Sequence, residues 1–443
     1  MKKLIKINNK IESFNKRNIY VSGDKSISIR FILLSSLSNG KCTATGLLKS
    51  EDVLSAIKSI RKLGIKIKII GNKCEVFGKG LYGYSIKKKL ILNAGNSGTT
   101  ARLLLGILAN SNEKIQIVGD QSLSKRDMSR ITIPLKKFGT KFGSNDKKLP
   151  INIKGPKKLK AINYVENLGS AQCKSALMIA ALKAKGKTKL KCKPSRNHTE
   201  LMFKNVLKIP IKVKKNKGYD KIEITGNKEF KSFNYNIPGD ISSASFFIAL
   251  TLLTKNSSLT IKNININDSR IGIIKILKLM GAKIKLLNKK TYKGEETSNI
   301  FVKSQSDLKA INLNPKLNSS AIDEFLLIFL IACKSKGIST FKDLSELNKK
   351  ESKRLDWAFK ILKMIGIKTK RLKNNGIKIW GKPNLELNKK FIIKDYLKDH
   401  RIFMLATITA LSLGGNWKIY NPDSFNTSFP AFLKILKNLG AKF

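Results

Sequence analysis

The segment Arg61-Lys-Leu-Gly-Ile-Lys-Ile67 decides the fold, because versions of it return along the whole 443-residue chain. A glycine after a helical run supplies the positive φ of a helix C-cap before the chain turns into a strand. The other copies, the third of them degraded with Pro210 in place of glycine, are Lys136-Lys-Phe-Gly-Thr-Lys-Phe142, Lys278-Leu-Met-Gly-Ala-Lys-Ile284, Leu207-Lys-Ile-Pro-Ile-Lys-Val213, Lys363-Met-Ile-Gly-Ile-Lys-Thr369 and Lys437-Asn-Leu-Gly-Ala-Lys-Phe443. The sequence therefore predicts six repeats of one unit.

A second, more apolar helix is predicted upstream of each copy. The six segments cover residues 27–37, 99–109, 170–184, 242–253, 323–333 and 401–413, and each precedes a small-polar turn and a short alternating strand. Segments that are apolar on all sides are typical of buried helices. Six units of this size exceed one hydrophobic core, so we predict an α/β protein of two domains with three repeats each.

Matching Gly-Asp turns mark the expected domain boundaries. Gly23-Asp24 and Gly239-Asp240 each precede the first buried helix of a triplet. We therefore predict domain I over residues 1–22 and 241–443, with a strand near residues 4–7 joining the C-terminal half, and domain II over residues 23–240. A cleft between two domains is the usual place for a ligand, and we expect the active site there.

The composition excludes several classes of protein. Lys and Arg total 88 against 29 Asp and Glu, a formal charge of +59, but the lysines run along the whole chain and form no dense tail. This pattern favours a solvated surface over a nucleic-acid footprint. No apolar run reaches the length of a membrane helix or secretory signal, and the five cysteines lack metal-ligand spacing. We expect a soluble protein of a reducing compartment.

Arginine is the informative cation, since the chain has only eleven. Eight of them, with both histidines, fall at predicted helix starts: Arg30, Arg102, Arg126, Arg130, Arg196, Arg270, Arg354, Arg401, His198 and His400. A helix N-terminus presents unpaired N–H groups and the positive end of the dipole. Bidentate guanidinium groups at several such ends predict a site for phosphate and carboxylate.

Carboxylates among these cations supply candidates for proton transfer. Asp323, Glu324 and Glu351 could act as base or acid once desolvated, and Lys25 could move a proton or balance phosphate charge. The sequence contains no P-loop, no dinucleotide fingerprint after a strand and no Gly-x-Ser-x-Gly elbow. These residues indicate an enzyme that joins or splits phosphorylated, carboxylated small molecules by acid–base catalysis.

Eight motifs in order give the chain a resemblance to a known family. They are Gly23-Asp-Lys-Ser-Ile-Ser28, Ala94-Gly-Asn-Ser-Gly-Thr-Thr-Ala-Arg102, Gly119-Asp-Gln-Ser-Leu-Ser-Lys-Arg126, Gly169-Ser-Ala-Gln-Cys-Lys-Ser-Ala176, Pro238-Gly-Asp-Ile-Ser-Ser-Ala-Ser-Phe246, Ile322-Asp-Glu-Phe325, Lys350-Glu-Ser-Lys-Arg354 and Asp399-His-Arg401. Across essentially the whole chain the sequence resembles the 5-enolpyruvylshikimate-3-phosphate (EPSP) synthases, which are enolpyruvyl transferases. The resemblance implies a two-domain inside-out barrel, each domain built from three βαβαββ units with buried helices.

The resemblance also implies the reaction. The family transfers the enolpyruvyl group of phosphoenolpyruvate to the 5-hydroxyl of shikimate 3-phosphate and releases phosphate, on the shikimate pathway to chorismate and the aromatic amino acids. It implies no metal and no organic cofactor. We expect a cytoplasmic monomer that acts on these two small molecules and on neither nucleic acid nor membrane.

The same resemblance assigns site residues. Those implied for shikimate 3-phosphate are Lys25, Ser26, Arg30, Ser170, Ala171, Gln172, Arg196, Asp323 and Lys350. Those implied for phosphoenolpyruvate are Lys25, Asn96, Gly98, Arg126, Gln172, Arg354 and Arg401. Asp323 is expected to take the proton of the attacking hydroxyl, and Glu351 with Lys25 to manage the proton at the enol methylene.

Five residues depart from the family's pattern: Ile29, Asp127, Asn197, Lys353 and Thr427. Asp127 replaces the usual proline, and its carboxylate beside Arg126 is expected to weaken the grip on phosphoenolpyruvate. Thr427 stands where one branch of the family has a phosphoenolpyruvate-binding lysine.

Two alternatives stay open at this point. One is a UDP-N-acetylglucosamine carboxyvinyltransferase, which shares the fold but uses a loop cysteine near residues 115–125, where this chain has none. The other is a basic RNA-binding or RNA-end-processing protein on the same repeat, which would concentrate lysine on one face and bind RNA in a salt-sensitive way.

Overall fold

A computed structural model describes residues 3–443, so Met1 and Lys2 lie outside the described part. The chain divides into two compact units. Unit 1 comprises Met1–Ser22, Pro238–Thr291 and Glu296–Phe443, and unit 2 comprises Gly23–Ile237 and Tyr292–Glu295. The chain thus leaves unit 2 after Ile237, three residues before the predicted boundary, and four residues of a later hairpin group with unit 2.

Helices occupy the predicted places. Within residues 3–443 they are α1 (Lys25–Ser35), α2 (Glu51–Lys62), α3 (Gly98–Ile107), α4 (Gln121–Ser124), α5 (Ser129–Lys137), α6 (Ala171–Ala181), α7 (His198–Asn205), α8 (Ile241–Leu253), α9 (Gly272–Leu279), α10 (Asn318–Ala321), α11 (Phe325–Cys333), α12 (Arg354–Met364), α13 (His400–Leu413) and α14 (Phe432–Asn438). Three short 3₁₀ helices cover Pro315–Leu317, Ser345–Lys349 and Pro422–Thr427.

The strands are short, as expected for a repeat built around helices. They are β1 (Leu4–Ile7), β2 (Arg17–Ile19), β3 (Asn39–Thr45), β4 (Lys66–Ile70), β5 (Lys73–Lys79), β6 (Leu90–Asn93), β7 (Ile115–Val118), β8 (Lys141–Phe142), β9 (Ile151–Lys154), β10 (Leu159–Lys160), β11 (Asn163–Glu166), β12 (Ala184–Lys185), β13 (Lys187–Cys192), β14 (Ile211–Asn216), β15 (Tyr219–Thr225), β16 (Asn234–Asn236), β17 (Ser258–Asn265), β18 (Ile284–Tyr292), β19 (Glu295–Lys303), β20 (Ile338–Phe341), β21 (Thr369–Leu372), β22 (Gly376–Trp380), β23 (Leu387–Ile393) and β24 (Gly414–Tyr420).

The sheets repeat one topology. In five of the seven sheets among residues 3–443, one strand has a parallel neighbour on one side and an antiparallel neighbour on the other. In β6-β7-β9-β8, for example, β7 is parallel to β6 and antiparallel to β9, and in β11-β13-β15-β14 the strand β13 has the same two kinds of neighbour. The remaining orders are β16-β3-β5-β4, β18-β19-β17-β2, β20-β22-β21, β1-β24-β23 and the small pair β10-β12. β16 pairs with β3, so the end of unit 2 closes on its beginning.

Three apolar helices form the core of each unit. In unit 2, α1 packs against α3 and α3 against α6, and in unit 1 α8, α11 and α13 pack on one another. α8 and α11 are buried along their whole length because their sequences are apolar on every side. The second helices, such as α2, bury one face and expose lysines on the other.

The repeated glycines take the predicted conformation. Positive φ occurs at the five glycines that end the second helices: Gly64, Gly139, Gly281, Gly366 and Gly440. In the degraded copy the sequence placed the helix-ending residue at the wrong position. The left-handed residue is Lys208, with φ of 54°, and not Pro210. β1 pairs antiparallel with β24, which confirms the prediction that the N-terminal strand joins the C-terminal half. No helix within residues 3–443 has both the length and the apolar character that a bilayer crossing requires.

Candidate active site

The N-termini of the buried helices carry the predicted substrate residues. Lys25, Gly98 and Ala171 are the first residues of α1, α3 and α6, the three buried helices of unit 2. The residue before each helix is its cap: the side chains of Asp24, Ser97 and Ser170 accept from backbone N–H groups of the first turn. Ser170, predicted as a substrate ligand, therefore also has a structural role. The other N–H groups at these ends are suited to bind an anion.

Arg30 is held inside unit 2 by three hydrogen bonds. Its Nε donates to Thr199 Oγ1 at 2.8 Å, its Nη2 to Ser175 Oγ at 2.8 Å and its Nη1 to the Ser26 carbonyl at 3.0 Å. Burial lowers the pKa of Arg30 to about 10, so the group still carries its charge at neutral pH. These bonds fix a cation in the second turn of α1, where its guanidinium reaches back to Ser26 in the first turn.

Gln172 lies between two polar neighbours. Its Oε1 accepts from Arg102 Nη1 at 2.5 Å, and its Nε2 donates to Thr99 Oγ1 at 2.8 Å. Arg102 was among the arginines whose position at a helix start predicted an anion site, but the family resemblance assigned it to neither substrate. Arg102 therefore orients a side chain that the sequence assigns to both substrates.

The predicted phosphoenolpyruvate residues of unit 2 form a connected group. Arg126 Nη2 donates to Asn96 Oδ1 at 2.9 Å, and Asn96 Nδ2 donates to Asp120 Oδ2 at 2.6 Å. A Cβ on Gly98 would lie 3.1 Å from Arg126 Nη1 and 3.0 Å from Arg102 Nη1. Glycine at this position leaves room for two guanidinium groups at the start of α3.

Asp127 has a hydrogen-bond partner for its carboxylate at a helix start, and its expected effect on phosphoenolpyruvate binding stays a prediction. Its Oδ1 accepts from the backbone N–H of Ser129 at 2.8 Å, at the start of α5, and its carbonyl accepts from Arg102. Burial alone would raise its pKa, but the bonds from Ser129 and the cations Arg130 and Arg102 outweigh burial and lower it. The carboxylate thus stabilises a helix start.

Lys25 and Arg196 complete the predicted set in unit 2. Lys25 Nζ lies 3.1 Å from Asp52 Oδ2, a buried partner that the sequence did not single out. Arg196 is half-buried just before α7 and raises the local positive charge around Arg30.

A dense network of charges surrounds Asp323 in unit 1. Asp323 Oδ1 lies 3.2 Å from Lys350 Nζ and 3.5 Å from Arg354 Nη1. Arg401 Nη1 donates to the Asp323 carbonyl at 2.7 Å, and Glu351 Oε2 accepts from Arg354 Nη2. The structure therefore brings together all five predicted site residues of this unit.

Asp399, which the sequence placed in a motif but did not assign to the site, joins this network. It is fully buried, caps α13, and accepts from Arg354 Nε at 2.9 Å and Nη2 at 3.2 Å. Burial favours its neutral form, but the Arg354 charge outweighs burial and lowers the Asp399 pKa, while the carboxylates raise that of Arg354. Its position directly before His400 and Arg401 was the feature of the sequence that could have indicated a place in this network.

The electrostatics of this network suit acid–base chemistry. Two cations lie beside the Asp323 carboxylate, and a carboxylate placed to meet a hydroxyl group can serve as a general base. Glu351, bound to Arg354, occupies a different environment, and two carboxylates in different environments can take different roles.

Comparison with known proteins shows to which family the chain is related. The family model for EPSP synthase (3-phosphoshikimate 1-carboxyvinyltransferase) matches residues 11–436. The 3-phosphoshikimate 1-carboxyvinyltransferase of Ruthia magnifica is 41% identical over 422 residues, covering 95% of this chain and 94% of the relative. That of Caldicellulosiruptor bescii is 40% identical over 422 residues, covering 95% of each.

Solved structures agree in fold. The EPSP synthase of Acinetobacter baumannii superposes with a TM-score of 0.85 at 32% identity, covering 99% of this chain and 98% of that one. This likeness confirms the predicted fold class, and the comparisons favour neither alternative left open by the sequence. The chain belongs to the EPSP synthase family.

Proposed function

We propose that the residues at these helix N-termini carry out the family's reaction in this chain. The chain is an enzyme that transfers the enolpyruvyl group of phosphoenolpyruvate to the 5-hydroxyl of shikimate 3-phosphate, and phosphate is released. The observation that best supports the proposed roles is the grouping of Asp323 with Lys350 and Arg354, beside Glu351 and Arg401.

Substrate binding follows from the distribution of cations. Phosphate and carboxylate are bound by bidentate guanidinium groups and helix N-termini. In this proposal shikimate 3-phosphate contacts Lys25, Ser26, Arg30, Ser170, Ala171, Gln172, Arg196, Asp323 and Lys350. Phosphoenolpyruvate contacts Lys25, Asn96, Gly98, Arg126, Gln172, Arg354 and Arg401. Residues of both units serve one substrate pair, so the interdomain cleft predicted from the sequence stays part of the proposal.

The chemical step needs one base and one group that both gives and takes a proton. Asp323 accepts the proton of the 5-hydroxyl as its oxygen bonds to C2 of phosphoenolpyruvate. C3 gains a proton, from Glu351 assisted by Lys25, which gives a tetrahedral intermediate. The C2–O bond to phosphate then breaks as C3 returns a proton to Glu351, so the enol ether forms. The departing phosphate takes up the proton held by Asp323, and both carboxyl groups regain their starting states. The arginines stabilise the phosphate and carboxylate charges throughout.

Assembly and location remain part of the proposal. We expect a monomer acting in the cytoplasm, as the sequence suggested. The five cysteines are free and buried, which agrees with a reducing compartment.

The test is to follow both substrates by ³¹P NMR with the purified protein. We expect inorganic phosphate and a new phosphate monoester, the enolpyruvyl ether of shikimate 3-phosphate, to appear in equal amounts, and only when both substrates are present. Phosphate released from shikimate 3-phosphate alone, or no reaction from folded protein, would overturn the proposal.

A further inference from the structure

A buried glutamate lies directly beside Asp323. The sequence offered it as a candidate for proton transfer, but the family resemblance gave it no role. Glu324 is fully buried at the start of α11, and its Oε1 accepts from Ser242 Oγ at 2.5 Å. Arg401 Nη1 lies 3.7 Å from the same oxygen. Its Oε2 is buried as well, with no hydrogen-bond partner among residues 3–443. An ionised carboxylate in such a place is stabilised chiefly by nearby positive charge.

The hydroxyl that binds Glu324 is itself fixed from the other side. Ser242 Oγ accepts from Arg270 Nη2 at 2.8 Å, and Arg270 Nη2 lies 3.3 Å from Asp240 Oδ1. Arg270 is almost fully buried, and Asp240 caps α8. The carboxylate of Glu324 is therefore held in place by the start of α8 and cannot follow a moving Arg401.

Arg401 contacts two adjacent residues at the start of α11 through one guanidinium nitrogen. Its Nη1 donates to the Asp323 carbonyl at 2.7 Å and lies near the Glu324 carboxylate. The first contact is to a neutral dipole, whereas Glu324 brings a negative charge close to this guanidinium. Arg401 is the second residue of α13, so these contacts join the starts of two different helices.

We propose that Glu324 is a positioning residue that sets the Arg401 guanidinium for phosphoenolpyruvate, with Ser242 and Arg270 fixing Glu324. The inference rests on the proposed role of Arg401 in binding phosphoenolpyruvate. Glu324 acts through Arg401 and does not touch the substrate. Loss of its charge releases the guanidinium from its fixed orientation and leaves shikimate 3-phosphate binding, supplied mainly by unit 2, nearly intact.

The test is steady-state kinetics of Glu324→Gln, which keeps the shape and removes the charge. A displacement of about 1 Å at a catalytic site costs on the order of 100-fold in rate, so we expect the KM for phosphoenolpyruvate to rise about 10- to 100-fold. The KM for shikimate 3-phosphate should change less than about twofold. Ser242→Ala should raise the KM for phosphoenolpyruvate in the same direction by less. Glu386→Gln, which removes an exposed partner of Lys10 in the same unit, is the matched control.

A double-mutant cycle with Arg401→Lys separates positioning from a purely structural role. If Glu324 acts through Arg401, adding Glu324→Gln to the Arg401→Lys variant should raise the KM for phosphoenolpyruvate little further. Additive effects, or equal rises in the KM of both substrates, would overturn the inference. If Glu324→Gln does not fold, Ser242→Ala decides, and an unchanged KM for phosphoenolpyruvate in that variant contradicts it. If Arg401→Lys itself leaves that KM unchanged, the proposed role of Arg401 fails instead.

Discussion

At the scale of the residue, the site is built from charges that hold one another in place. Arg354 contacts Asp323, Glu351 and Asp399, and Asp399 also caps the helix that carries Arg401. Lys25, Lys350 and Arg354 thus each have a carboxylate partner within the protein, which reduces the ordering that binding of an anion would require. The site is defined by these specific ion pairs and not by the formal charge of +59 on the whole chain.

Lys183 is a buried residue whose ionisation should affect stability. Its Nζ donates to the Ile107 carbonyl at 2.8 Å and to Asn110 Oδ1 at 2.9 Å, and burial lowers its pKa to about 7. The unfolded chain, with an ordinary lysine pKa near 10.4, binds more protons than the folded one between about pH 7 and pH 10. The contribution to the free energy of unfolding therefore rises with pH in that window.

We expect the stability of the wild type relative to Lys183→Met to rise by about 2 kcal/mol from pH 6.5 to pH 8.5. Urea denaturation of both proteins at the two pH values measures this change. The loss of two hydrogen bonds in the variant does not depend on pH, so it cancels in the comparison. Parallel pH profiles would show that Lys183 has an ordinary pKa in the folded protein.

At the scale of the element, the sequence predicted the helices well and their exact ends less well. The six buried helices were predictable because apolar residues on all sides leave no solvent face, and the observed α8, Ile241–Leu253, begins one residue before the predicted segment. The glycine C-caps followed from backbone sterics. Pro210 misled the alignment of the degraded repeat because proline, like glycine, is common after a helix.

Lys208 offers a test of this repeat. It occupies the left-handed region with φ of 54°, where the other five copies have glycine. A left-handed residue with a Cβ costs roughly 1–2 kcal/mol, of which the greater flexibility of glycine in the unfolded chain cancels about half. Lys208→Gly should therefore raise the free energy of unfolding by about 0.5–1 kcal/mol, measured by chemical denaturation.

Lys58→Gly is the matched control for that variant. Lys58 is an exposed lysine in the middle of α2 in the same unit, so glycine there should destabilise by about 1 kcal/mol. Destabilisation by Lys208→Gly of similar size would contradict the assignment of Lys208 to the C-cap position.

At the scale of the whole molecule, the sixfold repeat explains why the candidate site could be read from the sequence. Equivalent helix starts recur, so polar residues that interrupt the apolar pattern fall at equivalent points, as Lys25, Gly98 and Ala171 do. Glu324 was named from the sequence as a candidate carboxylate and Asp399 as part of a motif, but the pairings that complete the site were not predictable in this way. Asp52, Asp399 and Glu324 are paired through tertiary contacts, and a carboxylate near a helix start reads equally well as a cap.

The association of Tyr292–Glu295 with unit 2 was likewise beyond sequence reasoning. This hairpin tip lies between β18 and β19 of unit 1, yet Glu295 Oε1 lies 2.6 Å from Nδ1 of the buried His198. The segment Lys293-Gly-Glu-Glu296 has the composition of an ordinary turn, which carries no information about a distant partner.

The most direct test of the account is the initial rate of phosphate release by Glu351→Gln with both substrates saturating. Loss of a general acid–base group should lower this rate by about 10²- to 10⁴-fold, while Glu346→Gln, an exposed neighbour paired with Lys349, should keep the wild-type rate. A folded Glu351→Gln protein that turns over at the wild-type rate would contradict the claim that the carboxylates around Arg354 carry out the proton transfers.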